Sequence, residues 1–217
     1  MSNYILYIEV LGTVAFALSG AMEGMKKNLD ILGVLILGVV TATGGGVIRD
    51  LTIGINPPLT FRSGTNIYIS LITSATIFIL SFFNENVNKR TVNKIFERAL
   101  IYSDAIGLGV FTITGMQIAY HINNNHSLIL YVFVGLISGV GGGIIRDLLI
   151  DSVPYILNKH VYASASIVGG LFFHLFKKVN ILPEQISIPL CIVIIIAIRI
   201  VAYHKKWNLP KATVIIE

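Results

Sequence analysis

Charge is what this sequence has least of. Asp, Glu, Lys and Arg make up 12% of its 217 residues, hydrophobic residues make up 54%, and the mean hydropathy is +0.79. A soluble domain carries about 25% charged residues, so the composition excludes an ordinary soluble domain and indicates a membrane protein. Cysteine occurs once, at Cys191, which excludes an intrachain disulfide. That cysteine and the five histidines show no metal-ligand spacing. No glycine stretch ends in the Gly-Lys-Ser/Thr of a phosphate-binding loop, so nothing supports nucleotide binding. The net charge of +5 is dispersed through the gaps between apolar runs instead of gathering on a soluble face, which argues against a nucleic-acid partner.

What is present is apolar and periodic. Seven apolar segments run approximately over 4–22, 31–54, 66–84, 100–121, 127–150, 161–178 and 185–204. Most reach the about 20 residues that a helix needs to cross a ~30 Å hydrocarbon core. The predicted fold is all-α: a single seven-helix transmembrane domain over 1–217. The first segment resembles a signal peptide in its small residues Ala15 to Ala21, but Met1-Ser2-Asn3 supplies no positive charge and Glu9 interrupts the apolar core, so it is read as a retained helix.

Orientation follows from lysine and arginine. Alternate loops on one side hold Lys26, Lys27, Lys89, Arg90, Lys94, Arg98, Lys159, Lys205, Lys206 and Lys211, against Arg62, Lys177 and Lys178 on the other. Ten against three places the N-terminus outside and the C-terminus in the cytoplasm of a cell (inner) membrane protein. The basic run from Lys89 to Arg98 lies at the level of cytoplasmic lipid headgroups.

The chain repeats itself. Gly44-Gly45-Gly46-Val47-Ile48-Arg49-Asp50 returns as Gly141-Gly142-Gly143-Ile144-Ile145-Arg146-Asp147. Upstream, Glu9 and Phe16-x-x-x-Gly20 match Asp104 and Phe111-x-x-x-Gly115; downstream, Pro57 matches Pro154. Repeat 1 covers about 4–85, repeat 2 about 100–178, and a further helix about 185–204. Each repeat contains three predicted helices, and three is odd, so the second copy enters the membrane from the opposite face. Inverted repeats of this kind are a transport architecture.

The glycine triplets lie about 20 Å along their helices at 1.5 Å per residue, close to the midplane. Three glycines let a helix kink or unwind and turn carbonyls toward a cation path, which a membrane tolerates only against protein or water. Both triplets are therefore expected to kink the second and fifth helices; close helix packing is the alternative. Helical neighbours point about 100° apart, so Arg49 and Arg146 are expected to find partners other than Asp50 and Asp147. Matching depths give Glu9 with Arg49 and Asp104 with Arg146, as a gate or a latch.

Other residues carry less. Arg199 is expected to snorkel to the cytoplasmic surface near Lys205, and His174 to be a hydrogen-bonded packing residue. Gly20-x-x-x-Gly24 and Gly135-x-x-x-Gly139 read as helix contacts.

The doubled Gly-Gly-Gly-x-x-Arg-Asp motif on the second and fifth of seven helices resembles the TRIC family of trimeric intracellular cation channels. It is most similar to their bacterial relatives, an uncharacterised membrane family also described as glycine transporter domains. The resemblance extends from about residue 4 to 204. It implies a homotrimer, a pore in each subunit between the second and fifth helices, kinks at the glycines and permeation of potassium-type monovalent cations. The lysine motif that precedes the first triplet in the animal channels is absent; Thr41-Ala42-Thr43 stands there, so no role of that lysine carries over.

Three functions are then compared. A channel needs a polar path, for which Ser19, Thr41, Thr43, Thr114 and Ser138 are the wall candidates. A carrier for glycine or another small neutral solute would use the same repeat to alternate access. An enzyme would need an acid-base or metal constellation, which the sequence does not offer; no cofactor is expected, and the expected partners are monovalent cations, membrane lipids and further copies of the chain.

Overall fold

The computed structural model describes residues 3–82, 89–123, 125, 127–158 and 161–207. Lys159, Lys211 and the side chains of Lys89, Arg90 and Lys94, used above for orientation, lie outside the described residues, as does the end of repeat 1 near residue 85.

Among the described residues the chain forms nine helices: α1 (Asn3–Lys26), α2 (Ile31–Thr52), α3 (Leu59–Ser63), α4 (Thr65–Phe82), α5 (Lys89–Ile122), α6 (Leu128–Leu149), α7 (Tyr155–Asn158), α8 (Ala163–Val179) and α9 (Glu184–His204). The seven predicted segments correspond to the seven longer helices, and α5 begins earlier than its apolar run. By length and composition, five helices can cross a membrane: α1, α2, α5, α6 and α9. The apolar stretch Thr65–Ser81 within α4 is shorter, and α8 has 17 residues. The two short helices α3 and α7 were not expected; each follows a proline, Pro58 and Pro154. Pro58, and not Pro57, is thus the structural counterpart of Pro154.

The two repeats share their local chemistry. Helix α2 starts at Asp30, whose carboxylate accepts from Gly33 N at 2.7 Å, and α6 starts at Ser127, whose hydroxyl accepts from Leu130 N at 3.3 Å. Such caps satisfy amides that the first helical turn leaves unpaired. Both helices end alike. Ile55 N donates to the Asp50 carbonyl at 2.8 Å, and Ser152 N to the Asp147 carbonyl at 2.9 Å. The residue between helix and donor is left-handed in both copies, Gly54 at φ +77° and Asp151 at φ +51°. This is a Schellman closure, for which glycine is the unstrained choice and aspartate a tolerated one.

Packing is reciprocal as well. Phe16 of α1 lies against Gly107 of α5, Phe111 of α5 lies against Gly12 of α1, and the two rings stack with centroids 5.3 Å apart. Gly20 and Gly24 admit α2 against α1, and Gly135 and Gly139 admit α5 against α6, so both small-residue pairs are helix contacts. Helix α5 is the most enclosed of the five long apolar helices. Helices α8 and α9 cover it: Phe173, Ile188, Cys191 and Ile195 join Leu108, Ile113 and Met116 in one core.

Candidate functional site

The glycine triplets meet at the crossing of α2 and α6, the most extensive contact between any two elements. A Cβ on Gly142 would run into the carbonyl oxygen of Thr41, and one on Gly45 into that of Ser138. On Gly141 it would lie 3.0 Å from Gly45 Cα, and on Gly44 2.8 Å from Ile145 Cδ1. The backbones therefore touch, with glycine Cα–H groups aimed at carbonyl oxygens, a weak attraction that recurs where helices pack closely. Helical hydrogen bonding is unbroken through both triplets. Both triplets stay within helix, and their first two glycines serve the close approach of α2 and α6.

The third glycine has a separate role. A Cβ on Gly46 would sit 3.6 Å from Arg49 Nη2, and one on Gly143 3.8 Å from Arg146 Nη2. Residues three apart share a helix face and long side chains lean toward the N-terminus, so each arginine lies back over the third glycine of its motif.

Both arginines bind the aspartate that follows them. Arg49 Nε and Nη2 each lie 2.8 Å from Asp50 Oδ1; Arg146 Nε and Nη2 each lie 2.8 Å from Asp147 Oδ1. The remaining aspartate oxygen accepts the first amide of the short helix: Leu59 N to Asp50 Oδ2 at 2.7 Å, Tyr155 N to Asp147 Oδ2 at 2.8 Å. Each Arg-Asp pair thus ties the end of a long helix to the returning loop. The expectation that neighbours cannot pair is overturned. The 100° divergence describes Cα–Cβ directions, and arginine is long enough to bring its fork round to a carboxylate held in place from the other side.

Beyond this the two centres differ. Arg146, fully buried, also places Nη1 2.8 Å from Asp104 Oδ1, the pair that the depth count predicted, and donates to Ser19 Oγ, so that α6, α5 and α1 are joined. Arg49 forms no direct ion pair with half-buried Glu9 among the described residues, although its charge and that of Asp50 act on Glu9. The second centre has further members that the sequence did not reveal. Arg199 does not snorkel; it is 7% exposed, stacks over Tyr162 at 4.4 Å and places Nη2 4.0 Å from Asp104 Oδ2. Tyr155, beneath the Arg146 guanidinium, donates to Glu23 Oε1 at 2.8 Å and so ties α7 to α1. The available signal for Arg199 was a cation within an apolar helix, more than a turn before Lys205.

The wall candidates separate into two groups. Thr41 and Thr43 donate to carbonyls of their own helix, Leu37 O at 2.6 Å and Val39 O at 2.7 Å, and Ser19 is engaged by Arg146. Thr114 Oγ1 and Ser138 Oγ are buried and have no hydrogen-bond partner among the described residues. A second polar cluster lies at the other end of α5: Lys177 donates to Gln117 Oε1 at 3.0 Å and Glu184 Oε1 at 2.7 Å, and the Tyr120 hydroxyl bonds His174 Nδ1, as expected of a packing histidine.

Helix order, doubled arginine centres and glycine crossing define a helical membrane protein built on a tandem repeat. A family model described as Glycine transporter matches residues 6–83 and again residues 101–178, one match for each copy. The chain belongs to that family. The UPF0126 inner membrane protein YadS of Escherichia coli strain K12 is 33% identical over 206 residues, 95% of each chain. The UPF0126 membrane protein YvgT of Bacillus subtilis strain 168 is 34% identical over 203 residues, 94% of each. Among solved structures, one reporting the structural basis for conductance through TRIC cation channels superposes with a TM-score of 0.82 at 36% identity, over 97% of this chain and 98% of that one. A prokaryotic TRIC channel crystallised in 0.5 M KCl gives a TM-score of 0.85 at 28% identity, over 96% and 100%. The resemblance read from the doubled motif is therefore shown, and the fold is that of the TRIC channels.

Proposed function

We propose that this protein is a monovalent cation channel of potassium type, acting as a homotrimer in the cell (inner) membrane with one path per subunit between α2 and α6. The observation that carries this is the near full-length similarity to TRIC cation channels at 36% identity. All seven longer helices span the bilayer, with the N-terminus outside, the C-terminus cytoplasmic, and lipids around the outer faces. The two repeats are inverted about an in-plane axis; contacts that exchange residue i with i+97 across the α2–α6 crossing support it, as Thr41–Gly142 and Ser138–Gly45 do. The path is narrowest beside that crossing, where the unspent hydroxyls of Thr114 and Ser138 lie. The paired aspartates neutralise arginines that would otherwise repel cations.

The family's description favours a second function, a carrier for glycine or another small neutral solute. Proteoliposomes loaded with potassium separate the two. A channel dissipates a potassium gradient rapidly and leaves labelled glycine outside. Saturable glycine uptake without potassium conductance identifies a carrier and refutes the channel.

A further inference from the structure

The second centre carries two carboxylates, and its own repeat supplies one guanidinium to balance them. Arg146 pairs with Asp104 and with Asp147, each at 2.8 Å. Glu23, which the Tyr155 hydroxyl joins to the centre, has its own cation in Lys26 at 3.6 Å. One negative charge is left over, and the cation that meets it is Arg199, whose Nη2 lies 4.0 Å from Asp104 Oδ2. Arg199 belongs to α9, a helix appended to the two repeats. The charge balance of this buried centre thus depends on a side chain from outside the repeat that builds it.

The way Arg199 is held shows how it acts. Its guanidinium stacks on the Tyr162 ring at 4.4 Å, and its Nε has no hydrogen-bond partner among the described residues. A residue placed to fasten α9 would bond Asp104 directly, as Arg146 does at 2.8 Å on the other oxygen of the same carboxylate. At 4.0 Å the interaction is one of charge, which falls off with distance more slowly than a hydrogen bond. That charge stands beside the glycine crossing. A Cβ on Gly143, the third glycine of the α6 triplet, would lie 3.3 Å from the Tyr162 hydroxyl, 3.8 Å from Arg146 Nη2 and 3.9 Å from Asp104 Oδ1. The ring that carries Arg199 and the carboxylate that it faces therefore border the turn of α6 whose other glycines meet α2.

We infer that Arg199 determines how strongly the path attracts cations: α9 supplies a fixed counter-charge that makes the second centre neutral, and without it the surplus carboxylate would draw potassium. An unbalanced charge beside a cleft with low-dielectric walls focuses its field and raises the local concentration of the opposite ion. Arg199 is a specificity residue that works through Asp104, not a ligand of the ion. The inference rests on the channel reading for the path, whereas the counter-charge itself can be tested without current.

The test records unitary potassium current from the full-length protein in planar bilayers at about 0.1 M and about 1 M KCl, where the Debye length is ~10 Å and ~3 Å. Arg199→Gln should raise the conductance about two- to threefold over the wild type at the lower concentration, and much less at the higher, because salt screens the added negative charge. Arg199→Lys keeps the charge and should return the wild-type values. Unchanged conductance in Arg199→Gln, or a change that is equal at both concentrations or shared by Arg199→Lys, marks a packing role and overturns the inference. Should Arg199→Gln fail to fold, Arg199→Met makes the same charge change with a side chain that still covers Tyr162. If the wild type is silent, the channel reading fails and melting temperatures decide. Potassium chloride, with choline chloride holding ionic strength constant, should then raise the melting temperature of Arg199→Gln saturably and leave the wild type unmoved. That result keeps the counter-charge without the channel, and its absence overturns both.

Discussion

Arg146 Nη1 and Asp104 Oδ1 meet at 2.8 Å across 42 positions of the chain, and both side chains are fully buried. Removing one partner strands the other charge, which costs roughly 3–5 kcal/mol at a buried site. Asp104→Asn should therefore unfold at a markedly lower temperature in detergent. Glu9→Gln should cost under about 1 kcal/mol, because no direct ion pair is broken. Equal losses at the two positions would show that Glu9 is paired after all.

The glycine triplets predict a graded alanine series. Gly45→Ala and Gly142→Ala press a methyl onto a carbonyl of the opposing helix, and overpacking costs about 1–3 kcal/mol, more where the obstacle is backbone. Gly46→Ala meets nothing nearer than 3.6 Å and should be neutral or stabilising by up to about 1 kcal/mol, the helix advantage of alanine. Melting temperatures that fall equally for all three would mean that the triplet acts through backbone flexibility and not contact.

Arg199 and Asp104 should be energetically coupled. A double-mutant cycle with Arg199→Gln and Asp104→Asn should return an interaction energy within the roughly 0.5–3 kcal/mol found for residues in one charge network. Additive effects would place Arg199 outside the centre.

The left-handed residues give a milder contrast. Gly54→Ala should destabilise by about 1–2 kcal/mol, the cost of a side chain in that conformation, whereas Asp151→Gly should be neutral or stabilising. Loss of stability in Asp151→Gly would indicate a side-chain role for that aspartate.

Much of this architecture was legible because the sequence repeats itself. The doubled motif located both triplets and both arginines, and counting 1.5 Å per residue brought Asp104 to the level of Arg146. Close packing at Gly45 and Gly142 was open as an alternative, but nothing in one chain read in order says that Thr41 and Ser138 carbonyls lie opposite them. The turn of Arg49 onto Asp50 was not legible. It depends on the Leu59 amide holding the other carboxylate oxygen, and Leu59 opens a helix too short to leave a periodic signal. Arg199 was misplaced for a related reason: its distance to Lys205 is written in the sequence, whereas the packing of α9 on α5 is tertiary.

The measurement that tests the central claim most directly is current through the purified protein in a planar bilayer with potassium as the only permeant cation. Discrete unitary currents far above about 10³ ions per second, the top of the usual enzyme turnover range, are the predicted result. A silent bilayer from a folded preparation that still takes up glycine in vesicles would contradict it.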